Sequence, residues 1–334
     1  MSKTEAFFPA VHFASAPRPT GCVIIDAEED FDWMRPVQGV PHNVRGMQHL
    51  SDLQHILGAY GAVPIYLVTY PVLQDDAVVA AIRLRMERGD CEVGIQLHTW
   101  VTPPFNESAD LRNSFGGNLD AGLEERKLLE LMRLFRARFG HDPVVFKAGR
   151  YGLGPHTSSL LEKHGFMVDT SLAPRTSFAA ESGPDFSADE FRTFWFGRGR
   201  RLLEVPLCRS IVGWGGRSSA RAYQILADLH LSRLHLPGVL AWLRCAERIT
   251  LSPEGNDPAA MGRLVRGLLS RGQNVLPISL HSSSLSIGHN PYVRSRADLH
   301  HFYDRLSASL DRLAGHFAVR FVRCTELAGM LADG

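Results

Sequence analysis

The sequence predicts an α/β protein that folds as a distorted (β/α)7 barrel, similar in plan to a TIM barrel. Short apolar runs alternate with amphipathic segments about seven times along the chain, which favours a parallel sheet. The length of 334 residues favours a barrel over an open, doubly wound sheet. Polar motifs follow four of the apolar runs, and the carboxyl ends of barrel strands are where active sites are built.

The first half of the chain predicts four strands separated by helices. The predicted strands are residues 22–25, 63–69, 92–98 and 144–147. The predicted helices between them are residues 44–60, 75–88 and 123–139. Gly61 and Gly89 follow the first two helices, as is typical of a helix end. Residues 99–120 contain Pro103-Pro104 and several asparagines, which predicts a loop.

The second half continues the alternation with one irregular stretch. The predicted helices are residues 155–164, 218–248, 261–270 and 296–314, the second of them broken near Pro237. The predicted strands are residues 166–169, 202–207, 275–281 and 319–322. Residues 173–200 lack periodicity and predict an insertion or a lid. We therefore expect an irregular arm over residues 1–20 and one catalytic barrel over residues 21–330.

Composition excludes several classes of function. The formal net charge of +1 gives no reason to expect a nucleic-acid partner. No apolar run is long enough to span a membrane, and residues 1–19 do not resemble a signal peptide. The five cysteines are widely spaced without a CxxC pair, which favours free thiols in a reducing compartment and predicts a cytoplasmic location. Dinucleotide, Walker and nucleophile-elbow motifs are absent from the sequence. The oligomeric state stays open.

The first polar motif is acidic and follows the first strand directly. Asp26 and Glu28 are two positions apart, so in extended backbone both side chains leave on the same side. Two carboxylates directed at one point can divide the work between metal binding and proton abstraction. A solvated acidic loop is the alternative interpretation.

Two further motifs deliver imidazoles at strand ends. Gln96 and His98 show the same spacing at the end of the third strand, and His98 is a natural ligand for zinc, cobalt or nickel. His281 ends the strand over residues 275–281 and is a candidate general acid. Each histidine has a structural alternative as a hydrogen-bonded core residue. Trp100 follows His98 and is a candidate wall of a sugar-sized cleft.

The fourth strand ends in a cationic motif. Lys147 stands on the strand, and Arg150 and Tyr151 follow it. Arg150 could orient an aspartate through a bidentate pair, and Tyr151 could assist at a developing oxyanion. Asp169 ends the next strand and could hold Arg150 or a histidine. An ordinary turn and a helix cap are the respective alternatives.

In this order, the motifs resemble those of the polysaccharide deacetylases, the NodB-homology group of carbohydrate esterase family 4. The similarity spans roughly residues 22–290. The segments that carry it are Asp26-Ala27-Glu28-Glu29-Asp30, Gln96-Leu97-His98-Thr99-Trp100, Phe146-Lys147-Ala148-Gly149-Arg150-Tyr151-Gly152 and Ser279-Leu280-His281-Ser282.

The resemblance implies a hydrolase that uses one divalent metal, most naturally zinc, to remove an N- or O-acetyl group from a saccharide or sugar precursor. It implies Asp26 as base, His281 as general acid, and Arg150 and Tyr151 as residues that position the base and assist the oxyanion. It also implies Glu28 and His98 as metal ligands, with Gln96 where the family has a histidine. We assign Trp33, Trp100 and Lys147, which replaces the family's arginine, to substrate binding.

The departures at Gln96 and Lys147 leave two other functions open. One is a non-catalytic carbohydrate-binding or regulatory barrel that has lost its metal. The other is a C–N hydrolase of small linear amides, which the same barrel could support.

Overall fold

Seven parallel strands make up most of a curled, nine-stranded sheet in this computed structural model, and two antiparallel strands extend one edge of it. The structure describes residues 7–31, 43–199, 201–214, 223 and 243–332. The strand order is β1-β8-β9-β7-β6-β5-β4-β3-β12, and the stretch from β9 to β12 is parallel throughout. The prediction of a distorted (β/α)7 barrel is therefore confirmed. The strands of this sheet are β1 His12–Phe13, β3 Val23–Ala27, β4 Pro64–Val68, β5 Glu92–Leu97, β6 Val145–Ala148, β7 Val168–Asp169, β8 Phe194–Phe196, β9 Leu202–Glu204 and β12 Ile278–His281.

Four short strands lie outside this sheet. Strands β10 Arg209–Val212 and β11 Glu247–Thr250 form an antiparallel ribbon. Strands β2 Thr20–Gly21 and β13 Arg320–Phe321 form a parallel pair. The predicted strand over residues 319–322 is thus present, but it pairs with β2 and not with the main sheet.

The helices surround the outer face of the sheet. Four helices begin after side-chain N-caps, which satisfy free N–H groups: those over Asp76–Glu87, Ala121–Phe139, Pro258–Leu269 and Arg296–Asp311. The last of these caps is a capping box of Ser295 and Asp298. The helices are α1 Leu50–Gly58, α2 Tyr70–Gln74, α3 Asp76–Glu87, α4 Ala121–Phe139, α5 Thr157–Lys163, α6 Pro258–Leu269, α7 Arg296–Asp311 and α8 Cys324–Ala332. No helix among the described residues is both long and apolar enough to cross a membrane.

Two predictions about elements need correction. The arm over residues 1–20 is not wholly irregular. It contains β1, which pairs with β8, and its Phe8 packs against the rings of Phe194 and Phe196. The predicted helix over residues 218–248 lies largely outside the described residues, and its last part is strand β11 instead. Its residues Glu247–Thr250 pair with Arg209–Val212. Exposed Arg248 is followed by buried Ile249, as expected for side chains that alternate between the faces of a strand.

The inside of the barrel has an apolar floor. Every second side chain along a strand points into the barrel. Below the site these inward side chains are aliphatic: Ile24, Ile65, Leu67, Val145, Val168, Leu203 and Val205. Gly94 makes room among them, since a Cβ there would lie 2.6 Å from the carbonyl oxygen of Val145 and 2.8 Å from Leu67. On β3, β5 and β6 the next inward positions, towards the carboxyl ends, are the polar residues Asp26, Gln96 and Lys147. The fold therefore separates a hydrophobic filling from a charged rim.

Candidate active site

A buried ion pair lies at the centre of the rim. Asp26 on β3 and Lys147 on β6 are each about 3% exposed, and Lys147 Nζ lies 2.7 and 2.5 Å from the two carboxylate oxygens. Burial alone would raise the pKa of Asp26, but the ammonium of Lys147 and then the imidazole of His281 lower it below its ordinary value. Asp26 is therefore a carboxylate at every working pH. Lys147 thus has a partner within the protein, and its contact with substrate stays a prediction.

His281 stands between two carboxylates. Its Nε2 lies 3.2 Å from Asp26 Oδ2, and its Nδ1 lies 2.8 Å from Glu254 Oε2. Glu254 also accepts the backbone N–H of His281 at 2.9 Å and the hydroxyl of Ser284 at 2.5 Å. Burial would lower the pKa of His281, but Glu254 and Glu28 raise it well above its ordinary value. His281 is thus held in a fixed orientation and in its protonated form.

A second imidazole is buried on the other side of Glu28. His98 Nδ1 lies 2.8 Å from Glu29 Oε1, and His98 Nε2 lies 3.7 Å from Glu28 Oε2. The ring of His98 is stacked on Trp100, with centroids 4.2 Å apart. Gly149 makes this placement possible, because a Cβ at that position would lie 2.4 Å from His98 Cδ2. The glycine of the third motif therefore positions the histidine of the second.

These residues fit a divalent cation. Glu28 Oε1 and Gln96 Oε1 are buried and have no hydrogen-bond partner in the described part of the chain. Burial raises the pKa of Glu28 to about 8, and a cation would restore its charge. The Glu29–His98 contact has the form in which a carboxylate orients a metal-binding histidine. The predicted ligands Glu28, His98 and Gln96 thus offer two unpartnered oxygens and an imidazole nitrogen.

A different donor triad also exists within the site. One ligand atom each of Asp26, Glu28 and His281 lies within 4.8 Å of the others. Both oxygens of Asp26, however, already contact the ammonium of Lys147. Glu28 belongs both to this triad and to the predicted ligand set of Glu28, His98 and Gln96, which stays a prediction.

Arg150 does not contact Asp26, contrary to the prediction. Its guanidinium donates to Ser114 and Glu181 and lies over the ring of Phe115, 4.4 Å from the centroid. Strand alternation directs Lys147, three residues earlier, into the barrel, and the chain then turns through positive φ of 55° at Arg150 and 57° at Tyr151. This turn carries Arg150 outward to the loops, while the ring of Tyr151 lies 4.8 Å from Lys147 Nζ. Tyr151 therefore remains beside the candidate catalytic residues.

Asp169 belongs to a separate buried carboxyl pair. It faces Glu204 at the paired position of β9, and both residues are fully buried. No described contact joins Asp169 to Arg150 or to a histidine. Asp169 instead accepts the hydroxyl of Ser171, whose oxygen receives the backbone N–H of Ala148 at 2.7 Å. The structure thus connects Asp169 to the strand of Lys147 through Ser171, in a positioning role.

Of the predicted substrate residues, Trp100 lies against the site through His98, and Trp33 lies outside the described residues. A small cavity of about 10 Å³ lies beside Lys147 and Tyr151, with Cys208 and Pro277 in its wall. Sequence reasoning missed Glu254 and the contact of Glu29 with His98. Glu254 lies four residues after the antiparallel strand Glu247–Thr250, and the predicted helix over residues 218–248 overlaps the start of that strand.

Comparison with known proteins supports the fold and no more specific relationship. No family model and no curated protein sequence matches the chain. Among solved structures, a probable polysaccharide deacetylase from Pseudomonas aeruginosa PAO1 aligns with a TM-score of 0.54 and 14% identity, over 94% of this chain and 91% of that one. The chain has the polysaccharide deacetylase fold. The predicted resemblance is therefore confirmed in three dimensions.

Two other solved structures also align with the chain. Puue allantoinase aligns with a TM-score of 0.53 and 14% identity, over 94% of this chain and 90% of that one. A family 4 acetyl xylan esterase from Clostridium thermocellum, in complex with a cobalt ion, aligns with a TM-score of 0.44 and 12% identity, over 93% and 91% of the two chains. At these identities the likeness concerns the fold alone, so the activity has to be argued from the site.

Proposed function

We propose that this protein is a hydrolase that removes an N- or O-acetyl group from a saccharide or sugar precursor. The contact between Asp26 and His281, 3.2 Å apart, carries the proposal. The ammonium of Lys147 pairs with Asp26, and the carboxylate of Glu254 pairs with His281. Their surroundings drive the pKa of Asp26 down and the pKa of His281 up. Two adjacent groups with pKa values pushed apart are suited to act as base and acid.

In this mechanism Asp26 accepts a proton from the attacking water, and His281 protonates the leaving nitrogen or oxygen. Lys147 keeps Asp26 ionised, and Glu254 keeps the imidazolium of His281 oriented towards the same point. The N–H or hydroxyl of Tyr151 assists at the acyl oxygen. A divalent ion held by Glu28, His98 and Gln96 would supply Lewis-acid polarisation of the acyl carbonyl.

The experiment is a hydrolysis assay on N-acetylglucosamine oligomers, O-acetylated xylan and small linear amides. We expect turnover on an acetylated saccharide, reduced by about 10²–10⁴-fold in Asp26→Asn and in His281→Ala. Asp304→Asn, an exposed position on α7, is the matched control and should retain full activity. Unchanged turnover in both site variants would reject the assignment, and turnover on the amides alone would favour the C–N hydrolase.

The metal requirement is tested separately. We expect protein purified without chelator to bind about one equivalent of zinc, cobalt or nickel, and His98→Ala to lose it because the imidazole is the strongest ligand of the set. The measurement is elemental analysis after dialysis, with exposed His300→Ala as control. Absence of metal even after incubation with these ions would favour the non-catalytic binding protein. The cytoplasmic location stays a prediction from the free cysteines, four of which are buried.

A further inference from the structure

We propose that Arg209 forms an anion-binding subsite at the rim of the candidate active site, so that the substrate carries a carboxylate or phosphate near its acyl group. This inference rests on the proposed function and names its substrate class. Arg209 is the first residue of β10, and its neighbour Cys208 lines the small cavity beside Lys147 and Tyr151. The ribbon formed by β10 and β11 therefore begins at the wall of this cavity.

The guanidinium is half-buried and lacks a counter-ion among the residues that the structure describes. Arg209 Nε donates to Thr250 Oγ1 at 2.8 Å, and Nη1 donates to Thr176 Oγ1 at 2.5 Å. No ion pair joins Arg209 to any carboxylate in the described part of the chain, and Nη2 has no hydrogen-bond partner there. Two neutral hydroxyls thus fix the orientation of the fork and leave its charge unbalanced. A planar, oriented guanidinium is the group that proteins use to recognise carboxylate and phosphate.

A second positive charge, that of Arg248, lies near the guanidinium of Arg209. Arg248 lies diagonally opposite Arg209 on the antiparallel ribbon, since Arg209 pairs with Thr250 and Ile211 pairs with Arg248. Burial lowers the pKa of Arg209, and the positive charge of Arg248 lowers it further. Like charges on neighbouring positions of a ribbon are destabilising. A bound anion would relieve both the burial cost and the repulsion.

The other neighbours of Arg209 belong to the candidate site. The groups that interact with it electrostatically, besides Arg248, are the hydroxyls of Tyr151 and Tyr292. Tyr292 in turn interacts with Glu254 and His281. Arg209 is therefore one side chain away from the acid–base pair. An anionic group bound to Arg209 would belong to the same small molecule as the acyl group that reacts.

The test compares the binding of matched sugars by calorimetry. N-acetylglucosamine is compared with its 6-phosphate, which adds a phosphate, and with N-acetylmuramic acid, which adds a carboxylate. We expect at least one anionic sugar to bind about tenfold more tightly than the neutral one, as one charged hydrogen-bonded contact can provide. The advantage should shrink as salt is raised. Comparison of the 6-phosphate with N-acetylmuramic acid also shows whether the subsite prefers a phosphate or a carboxylate.

Arg209→Gln should remove the advantage, and Arg209→Lys, which keeps the charge without the fork, should retain part of it. Arg192→Gln, an exposed arginine near Phe13, is the matched control and should leave the advantage unchanged. Equal binding of all three sugars, including no measurable binding of any, would overturn the proposal. So would an advantage that survives in Arg209→Gln.

The outcome is separable from that of the proposed function. Binding is measured in the wild type and in Asp26→Asn, which lacks turnover but retains Arg209. An anion preference without any turnover in the wild type would reject the hydrolase and keep the subsite. Turnover of neutral acetylated sugars without an anion preference would reject the subsite and keep the hydrolase.

Discussion

At the scale of single residues, Lys147 is the feature that most distinguishes this site. A buried ammonium contacts both oxygens of Asp26, so the aspartate is charge-balanced by the protein itself. A buried pair of this kind contributes to stability only when both members are present, and removal of one leaves an uncompensated charge. The pair therefore fixes Asp26 in one position and one protonation state, independently of any bound ion.

Glu204 and Asp169 are the second unusual pair, and they give a prediction about stability. Burial, together with the facing carboxyl, raises the pKa of Glu204 well above its ordinary value, and burial raises that of Asp169 to about 7. The two carboxyls are hydrogen-bonded to each other, which requires one of them to hold a proton. The folded protein therefore retains protons that the unfolded chain releases near pH 4.

The sign of the pH dependence follows from these raised pKa values. Between about pH 4 and 7 the folded state binds more protons than the unfolded state, so the stability that the pair provides at low pH is lost as the pH rises. Glu204→Gln removes one acid and can still accept the N–H of Leu172. We expect the variant to be more stable than the wild type at pH 8, by about 1–3 kcal/mol, and to lose this difference at pH 5.

Urea unfolding at pH 5, 6.5 and 8 measures this difference. Glu87→Gln, at an exposed position on α3, controls for the loss of one surface charge. Parallel pH profiles for the wild type and Glu204→Gln would show that the pair carries no linked proton.

At the scale of elements, strands whose apolar run passes directly into a polar motif could be predicted from the sequence. For β3, β5, β6 and β12 this pattern gave both the strand and the side chains it directs into the barrel. The site residues Asp26, Glu28, His98 and His281 were found in this way. Lys147 was found as a residue of the site, but its partner was not, because pairing across 121 residues depends on the register of the sheet.

The elements that were missed are short or depend on tertiary contacts. Strands β1, β8 and β11 have two to four residues and pair antiparallel, so the alternation of strands and helices that indicates the parallel strands does not mark them. The contacts of Arg150 could not be predicted because they depend on positive φ at two successive non-glycine residues. Such backbone is sterically disfavoured, and only the surrounding structure stabilises it.

The loop after β5 is ordered by a lysine from a neighbouring helix. Lys127 on α4 is fully buried, and its Nζ donates to the carbonyl oxygens of Thr99 at 2.9 Å and Thr102 at 2.6 Å. The same ammonium pairs with Glu107 at 2.7 Å. These contacts hold both ends of the segment that carries Trp100, the residue stacked on His98.

Lys127→Met should therefore loosen this loop and leave the barrel folded. We expect faster amide hydrogen exchange over residues 99–107, and a KM raised about tenfold or more with a smaller change in kcat, because substrate contacts are lost before the acid–base pair is disturbed. Exposed Arg126→Met on the same helix is the control and should change neither quantity. An unchanged exchange rate over residues 99–107 would contradict this role.

At the scale of the whole molecule, the two ends of the barrel differ in the polarity of their side chains. The rim at the carboxyl ends of the strands holds the charged site. At the opposite end, α8 covers the apolar filling, with Leu327 and Leu331 in the same cluster as Ile24 and Val145. Glu92, the first residue of β5, accepts the backbone N–H of Cys324 at 2.8 Å and so caps the start of this helix.

This division predicts that stability and chemistry can be changed independently. Leu327→Ala removes a side chain with no exposed surface from the apolar filling, and we expect it to lower the free energy of unfolding by about 2–5 kcal/mol. The kcat per folded molecule should stay at the wild-type value, because the cavity opens at the end of the barrel away from Asp26 and His281. Urea unfolding and active-site-normalised kinetics measure the two quantities, with exposed Glu326→Ala on the same helix as control. A fall in kcat that matches the loss of stability would mean that the floor of the barrel also sets the geometry of its rim.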